Sequence, residues 1–228
     1  AGGRPLRGRS SFGSLVENFE DAKHILYSGC QTSMMILGIT GALGAGKTTV
    51  ARLFSKHGFL HINADSIGHR LLNEQSTKKK LVHVFGTGII SGKKINRAKL
   101  RIAAFSPNKN LKKLNSIIHP RIFSEIKSLI KNAKCRNIII DAALLVEADA
   151  ASIVDKVIVV TAPKAEREKR MIKGRKWTIQ EISTIAKSQF SQGKKLGFAD
   201  FVVDNSGTLE KTKQQVDRIV AQIARMAP

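Results

Sequence analysis

The chain has 228 residues, enough for one α/β domain with an insertion or at most two small domains, and its 42% hydrophobic content excludes whole-chain disorder. Two cysteines, Cys30 and Cys135, exclude a disulfide scaffold and a four-cysteine zinc site, and no apolar run approaches the ~18 residues of a membrane span. A total of 39 basic against 17 acidic residues gives a net charge of +22, which directs the chain towards polyanions: nucleic acid, an anionic membrane face or phosphorylated small molecules.

Residues 1–33 stand apart. The stretch AGGRPLRGRSSFGS is rich in Gly, Arg and Ser and reads as disordered. After it, Ser14-Leu-Val-Glu17 resembles a capping box, and Leu15, Phe19, Ala22 and Leu26 have the spacing of a short amphipathic helix. A continuous apolar stretch of signal-peptide length is missing, and Glu17, Glu20 and Asp21 argue against a transit peptide. The expectation is an extension without catalytic role, with Met34 and Met35 as candidate starts.

The ordered body begins at Met35. Ile36-Leu37-Gly38-Ile39 reads as a buried strand, followed by a glycine-rich turn and a helix through Val50, Leu53 and Phe54. Phe59–Ile62 is a second short strand, ending at Asn63-Ala64-Asp65. Helical patterns then run from about Ser66 to Ala133, with breaks expected near Gly86–Gly92, at Pro107 and at Pro120. Ile138–Ile140 and Val157–Val160 are β-branched runs suited to parallel strands buried on both faces. Phe201–Val203 reads as a last strand, and a helix from about Leu209 to Met226 ends the pattern. This alternation implies a mostly parallel sheet covered on both sides.

The first turn carries the chemistry. Gly41-Ala-Leu-Gly44-Ala45-Gly46-Lys47-Thr48 matches G-x-x-x-x-G-K-[ST] between an apolar strand and a helix. Glycines let backbone N–H groups turn inward on phosphate oxygens, and the helix aims its positive end at them. Lys47 can reach β- and γ-phosphates, and the Thr48 hydroxyl can take a Mg²⁺ position. Asp65 follows the second strand, where a carboxylate can orient an acceptor hydroxyl; the same position suits a cap for the helix at Ser66. Asp141 ends the third strand, where it can hold Mg²⁺ through water or serve as a cap. Arg167, Arg170 and Arg175 lie on a basic helix and loop that can close over a phosphoryl group, or remain a solvated surface.

Between Ser76 and Arg136 there are sixteen Lys or Arg and one acid, Glu125, which places +15 of the +22 in 61 residues. Three phenylalanines (Phe85, Phe105, Phe123) are its only aromatics, too few for a single-strand nucleic-acid platform. A nucleic-acid-stimulated ATPase and a P-loop kinase for another small alcohol or nucleotide are the competing readings of these features.

The ordered motifs ILGITGALGAGKTTVA, NADSIGHRLL, INRAKLRIAAF, LNSIIHPRI, IIIDAALLVE, VIVVTAP and ADFVVDNSG together resemble the dephospho-CoA kinase family, from about Met35 to Ile223. The resemblance implies a three-layer α/β P-loop kinase, with a core formed by 34–74 and 137–228, a lid near 165–195 and a basic helical substrate-binding insertion at 75–136. It implies ATP and Mg²⁺ as cofactors and phosphorylation of the ribose 3′-hydroxyl of dephospho-CoA. Gly44, Ala45, Gly46, Lys47, Thr48 and Thr49 would hold ATP, with Thr48 and Asp141 at the metal. Asn205 and Gly207 would lie near the adenine. Lys47, Asp65 and Arg170 would be catalytic. Asp65, Arg97, His119 and Leu144 would meet the substrate. No nucleic acid, no membrane, a cytoplasmic location and a monomer or weak homo-oligomer are further expectations. Ala143 and Val146 stand where the family usually has Pro and Phe, and Gly174-Arg175 where the lid usually has Arg-Asp.

Overall fold

The computed structural model describes residues 34–105, 110–133, 136–148, 150–175 and 177–226. The expected extension at 1–33, both cysteines and Pro107 lie outside the described residues. Contacts divide the chain into two units: residues 63–132, and the residues on either side of them.

The larger unit is built on a five-stranded sheet in the order β2-β5-β1-β6-β7. Its strands are β1 (Ile36–Gly41), β2 (Leu60–Asn63), β5 (Ile138–Asp141), β6 (Lys156–Thr161) and β7 (Phe201–Asp204). Strand β1 pairs in parallel with β5, Leu37 opposite Ile139, and with β6, Ile39 opposite Ile158. Strand β6 pairs in parallel with β7, Val160 opposite Val203. All six residues of β1 are buried, as a central parallel strand requires.

The period-2 alternation then assigns the faces. Leu37, Ile39, Ile139, Ile158, Val160 and Val203 share a core with Val50, Leu53 and Phe54 of α1 (Lys47–Lys56), and with Val216, Ile219 and Ile223 of α9 (Leu209–Met226). Phe54 packs edge-to-face on Phe59 at 5.4 Å. On the opposite face Leu145 and Val154 close against Gly38, and the short helix α8 (Gln192–Leu196) lies over β1 and β6. These are the three layers expected from the sequence. The helices α6 (Lys164–Arg175) and α7 (Ile179–Lys187) follow β6.

The smaller unit is helical: α2 (Ala64–Leu71), α3 (Gln75–Phe85), α4 (Arg97–Ala104) and α5 (Asn110–Lys131). Helices α2, α3 and α4 all pack on α5. Asn63 caps α2, its side chain accepting the Ser66 N–H at 2.7 Å, and Asn96 caps α4 through Lys99 N–H at 3.0 Å. Arg70 pairs with Glu125 at 2.6 Å and Arg121 with Glu74 at 2.6 Å.

Of the expected helix breaks, the structure overturns the one at Pro120 and bears out the one near Gly86–Gly92. Pro120 does not break the helix but lies inside α5. It removes the one backbone bond that the Ser116 carbonyl would accept, and the packing of three helices along α5 outweighs that loss. The break at Gly86–Gly92 is more than a loop. A 3₁₀ turn at Thr87–Ile89 leads into a hairpin of β3 (Ile90–Ser91) and β4 (Lys94–Ile95), turning at Gly92 with φ 58°. Two-residue strands are too short for an alternation pattern to reveal them. The smaller unit begins at Asn63 and takes in α2.

Candidate active site

The loop from Gly41 to Thr48 joins the C-terminal end of β1 to α1. Gly44 (φ 79°) and Gly46 (φ 94°) occupy the left-handed region, which costs other residues ~1–2 kcal/mol. Space forbids a side chain as well. A Cβ at Gly44 would stand 2.6 Å from the Arg167 carbonyl oxygen, and one at Gly46 would collide with Asn205 Nδ2. Gly46 is the N-cap of α1, and no side chain caps that helix and no acid sits in its first turn. The positive end of α1 is therefore open to an anion.

Around this opening the fold gathers residues distant in sequence. Lys47 Nζ donates to the Gly41 carbonyl at 3.2 Å, which lays the side chain back over the loop. The Thr48 hydroxyl donates to Asp141 Oδ2 at 2.8 Å, and Asp141 is 2% exposed. Both metal candidates thus meet at the end of β5, with oxygen donors that suit a hard cation such as Mg²⁺. Arg170 Nη2 donates to the Asn205 carbonyl at 2.7 Å. Its Nη1 is buried without a hydrogen-bond partner among the described residues, 3.8 Å from where a Gly46 Cβ would stand. An orphaned guanidinium N–H beside the loop fits an incoming phosphate oxygen.

Asn205 reaches the phosphate loop from just beyond the end of β7. Its Nδ2 donates to the Ala45 carbonyl at 2.8 Å, and its Oδ1 accepts from the Thr212 hydroxyl at 3.0 Å. With both ends of the amide engaged, Asn205 is a strut that holds the phosphate loop against α9. Gly207 lies exposed in the turn after β7, and Thr49 is exposed on α1. Arg167 donates to the Leu43 carbonyl at 3.2 Å and the Ala162 carbonyl at 3.1 Å, bracing the loop from α6. Arg175 ends α6, and its side chain lies outside the described residues.

Other residues of the site carry no recognisable spacing. His61 Nε2, on β2, is buried without a hydrogen bond among the described residues, 3.7 Å from Asp141 Oδ2. Lys195, on α8, is completely buried; it reaches Thr40, Ala143 and Glu147. Leu144, in the turn that follows Asp141, is half-buried.

The remaining candidates belong to the helical unit. Asp65 is exposed in the first turn of α2, and the cap of that helix is Asn63, so Asp65 is not needed as a cap. Arg97 is exposed at the start of α4. His119 is half-buried in α5, edge-on to Phe123 at 6.4 Å. Burial holds its imidazole below the ordinary value of 6.5, so the ring is neutral at pH 7.

The family model for dephospho-CoA kinase matches residues 35–211. A dephospho-CoA kinase of Carboxydothermus hydrogenoformans is 35% identical over 79% of this chain and 90% of its own length. One of Methylococcus capsulatus is 31% identical over 85% of this chain and 99% of its own. Among solved structures, dephospho-CoA kinase from Campylobacter jejuni is 25% identical, with a TM-score of 0.61 over 83% of this chain and 97% of that one. The protein TT1252 of Thermus thermophilus shares the fold with a TM-score of 0.73 at 24% identity, covering 83% of this chain and 97% of that one.

Proposed function

The chain belongs to the dephospho-CoA kinase family, and from that premise we propose that it moves the γ-phosphoryl group of ATP to the ribose 3′-hydroxyl of dephospho-CoA, giving coenzyme A and ADP. It is a phosphotransferase of coenzyme A biosynthesis. The observation that carries the detailed reading is the uncapped N-terminus of α1, faced by an orphaned N–H of Arg170 and flanked by the Thr48–Asp141 pair. Phosphoryl transfer asks a protein mainly for position and charge, and these groups supply both.

In this reading the amides of Gly44 to Thr48 and the Lys47 ammonium hold the triphosphate, and Arg170 meets the charge that spreads over the transferring group. Thr48 and Asp141 would hold Mg²⁺, which neutralises phosphate charge when bound. Asp65 orients the ribose hydroxyl and takes its proton as the bond forms. Arg97, His119 and Leu144 contact the substrate, the segment 165–195 acts as the lid, and the basic residues of 75–136 favour a ligand that carries a pyrophosphate. Among the described residues no helix is long and apolar enough to cross a membrane.

The test is an acceptor panel offered with ATP and Mg²⁺, product mass being measured. A gain of one phosphoryl group by dephospho-CoA is expected, and its loss with Lys47→Ala. Transfer to a different small alcohol and never to dephospho-CoA would overturn the reading.

A further inference from the structure

We propose that Lys195 is a positioning residue of the phosphoryl-transfer site, its buried ammonium fixing the C-terminal ends of β1 and β5 against each other and through them the Thr48–Asp141 pair. The role rests on the function proposed above. Lys195 Nζ donates to the Thr40 hydroxyl at 3.1 Å, the Ala143 carbonyl at 2.6 Å and Glu147, whose Oε1 lies at 2.9 Å. The three N–H groups of the ammonium thus have three acceptors, one at the end of β1 and two in the turn after β5.

Two of the acceptors stand beside working residues. Thr40 immediately precedes Gly41, whose carbonyl holds Lys47 Nζ. Ala143 stands two residues after Asp141, and its carbonyl also accepts the Thr40 hydroxyl at 3.2 Å. Glu147 passes the connection outward, its Oε1 accepting the Phe190 N–H at 2.8 Å between α7 and α8. One cation therefore ties the start of the phosphate loop, the turn after Asp141 and the segment after α7.

Stability is a weak reason for such a group. A fully buried ammonium costs several kcal/mol to desolvate, and a buried ion pair returns about what it cost. What three directed bonds give and an apolar side chain does not is a fixed geometry. An error of about 1 Å at a reacting centre costs on the order of 100-fold in rate.

The test compares Lys195→Met, Lys195→Arg and the double variant Lys195→Met/Glu147→Gln. The double variant removes both charges and keeps an acceptor for Phe190. Melting temperature, kcat, both KM values and calorimetric binding of a non-hydrolysable ATP analogue with and without Mg²⁺ are measured on each. Lys195→Met is expected to lower kcat about 100-fold with smaller changes in KM. It should also lose the gain in analogue affinity that Mg²⁺ gives the wild type, while metal-free affinity stays. The double variant should recover melting temperature but neither kcat nor the Mg²⁺-dependent gain, and Lys195→Arg should recover part of both. Recovery of kcat together with stability in the double variant would overturn the proposal, as would an intact Mg²⁺-dependent gain there. If Lys195→Met fails to fold, the double variant decides alone. A wild type that leaves dephospho-CoA unmodified defeats the proposed substrate, and the analogue measurement still decides Lys195.

Discussion

Replacing Gly46 by alanine tests the phosphate loop where two constraints coincide. The backbone there is left-handed, φ 94° and ψ 27°, which costs an alanine about 1–2 kcal/mol. The added Cβ would also collide with Asn205 Nδ2 and displace its 2.8 Å bond to the buried Ala45 carbonyl. An unsatisfied buried group costs about 1–3 kcal/mol, so the total is about 2–5 kcal/mol. At about 2–4 °C per kcal/mol for a chain of this size, the melting temperature should fall by about 4–20 °C.

Gly58→Ala is the internal control. Gly58 is also left-handed (φ 86°), but a Cβ there meets nothing within 4 Å, so only the strain remains. Thermal melts of Gly46→Ala, Asn205→Ala and the double variant complete a cycle, in which coupling of at least about 1 kcal/mol is expected from groups in contact. Binding of an ATP analogue should be lost in Gly46→Ala and kept in Gly58→Ala. Equal melting temperatures for the two alanine variants, with analogue binding intact in both, would refute the reasoning.

Three further outcomes are expected. Asp65→Asn should lower kcat by about 10²–10⁴-fold with an unchanged melting temperature, while Asn63→Ala, which removes the real cap, should cost about 1 kcal/mol in a denaturant titration. Arg170→Met should lower kcat more than it raises the KM for ATP in steady-state kinetics, and equal loss in uniform binding would place the guanidinium outside the transition state. His119 is held neutral by burial, so the unfolded chain takes up its proton first on acidification. Its stabilising contribution is complete above the unfolded value of 6.5 and is lost as pH falls through the lower folded value. Thermal melts from about pH 7 to about pH 5 should therefore fall more steeply for the wild type than for His119→Gln, and parallel curves would remove the ring from the account.

The strand at Ile36, the glycine turn and the helix through Val50 were legible in sequence because each rests on contacts a few residues long: apolar alternation, left-handed glycines and a helix N-terminus. The five strands of the main sheet and the terminal helix Leu209–Met226 were legible for the same reason. The hairpin at 90–95 was not, since two-residue strands have no period, nor was the continuity of α5 through Pro120, which depends on three helices packed along it.

Within the site, Lys47, Thr48 and Asp141 announced themselves by motif, but that Thr48 bonds Asp141 across 93 positions is a product of β1 pairing with β5. Asn205 entered only through the family resemblance, and only the fold turns its amide into a strut under Ala45. Lys195 lies 155 positions from Thr40, in a stretch of ordinary surface-like lysines, and nothing local distinguishes it. Local pattern decides what a segment becomes, because backbone bonds and capping act over one or two turns. Which side chains share a buried pocket is decided by strand order and helix crossing, and those exist only once the chain has closed on itself.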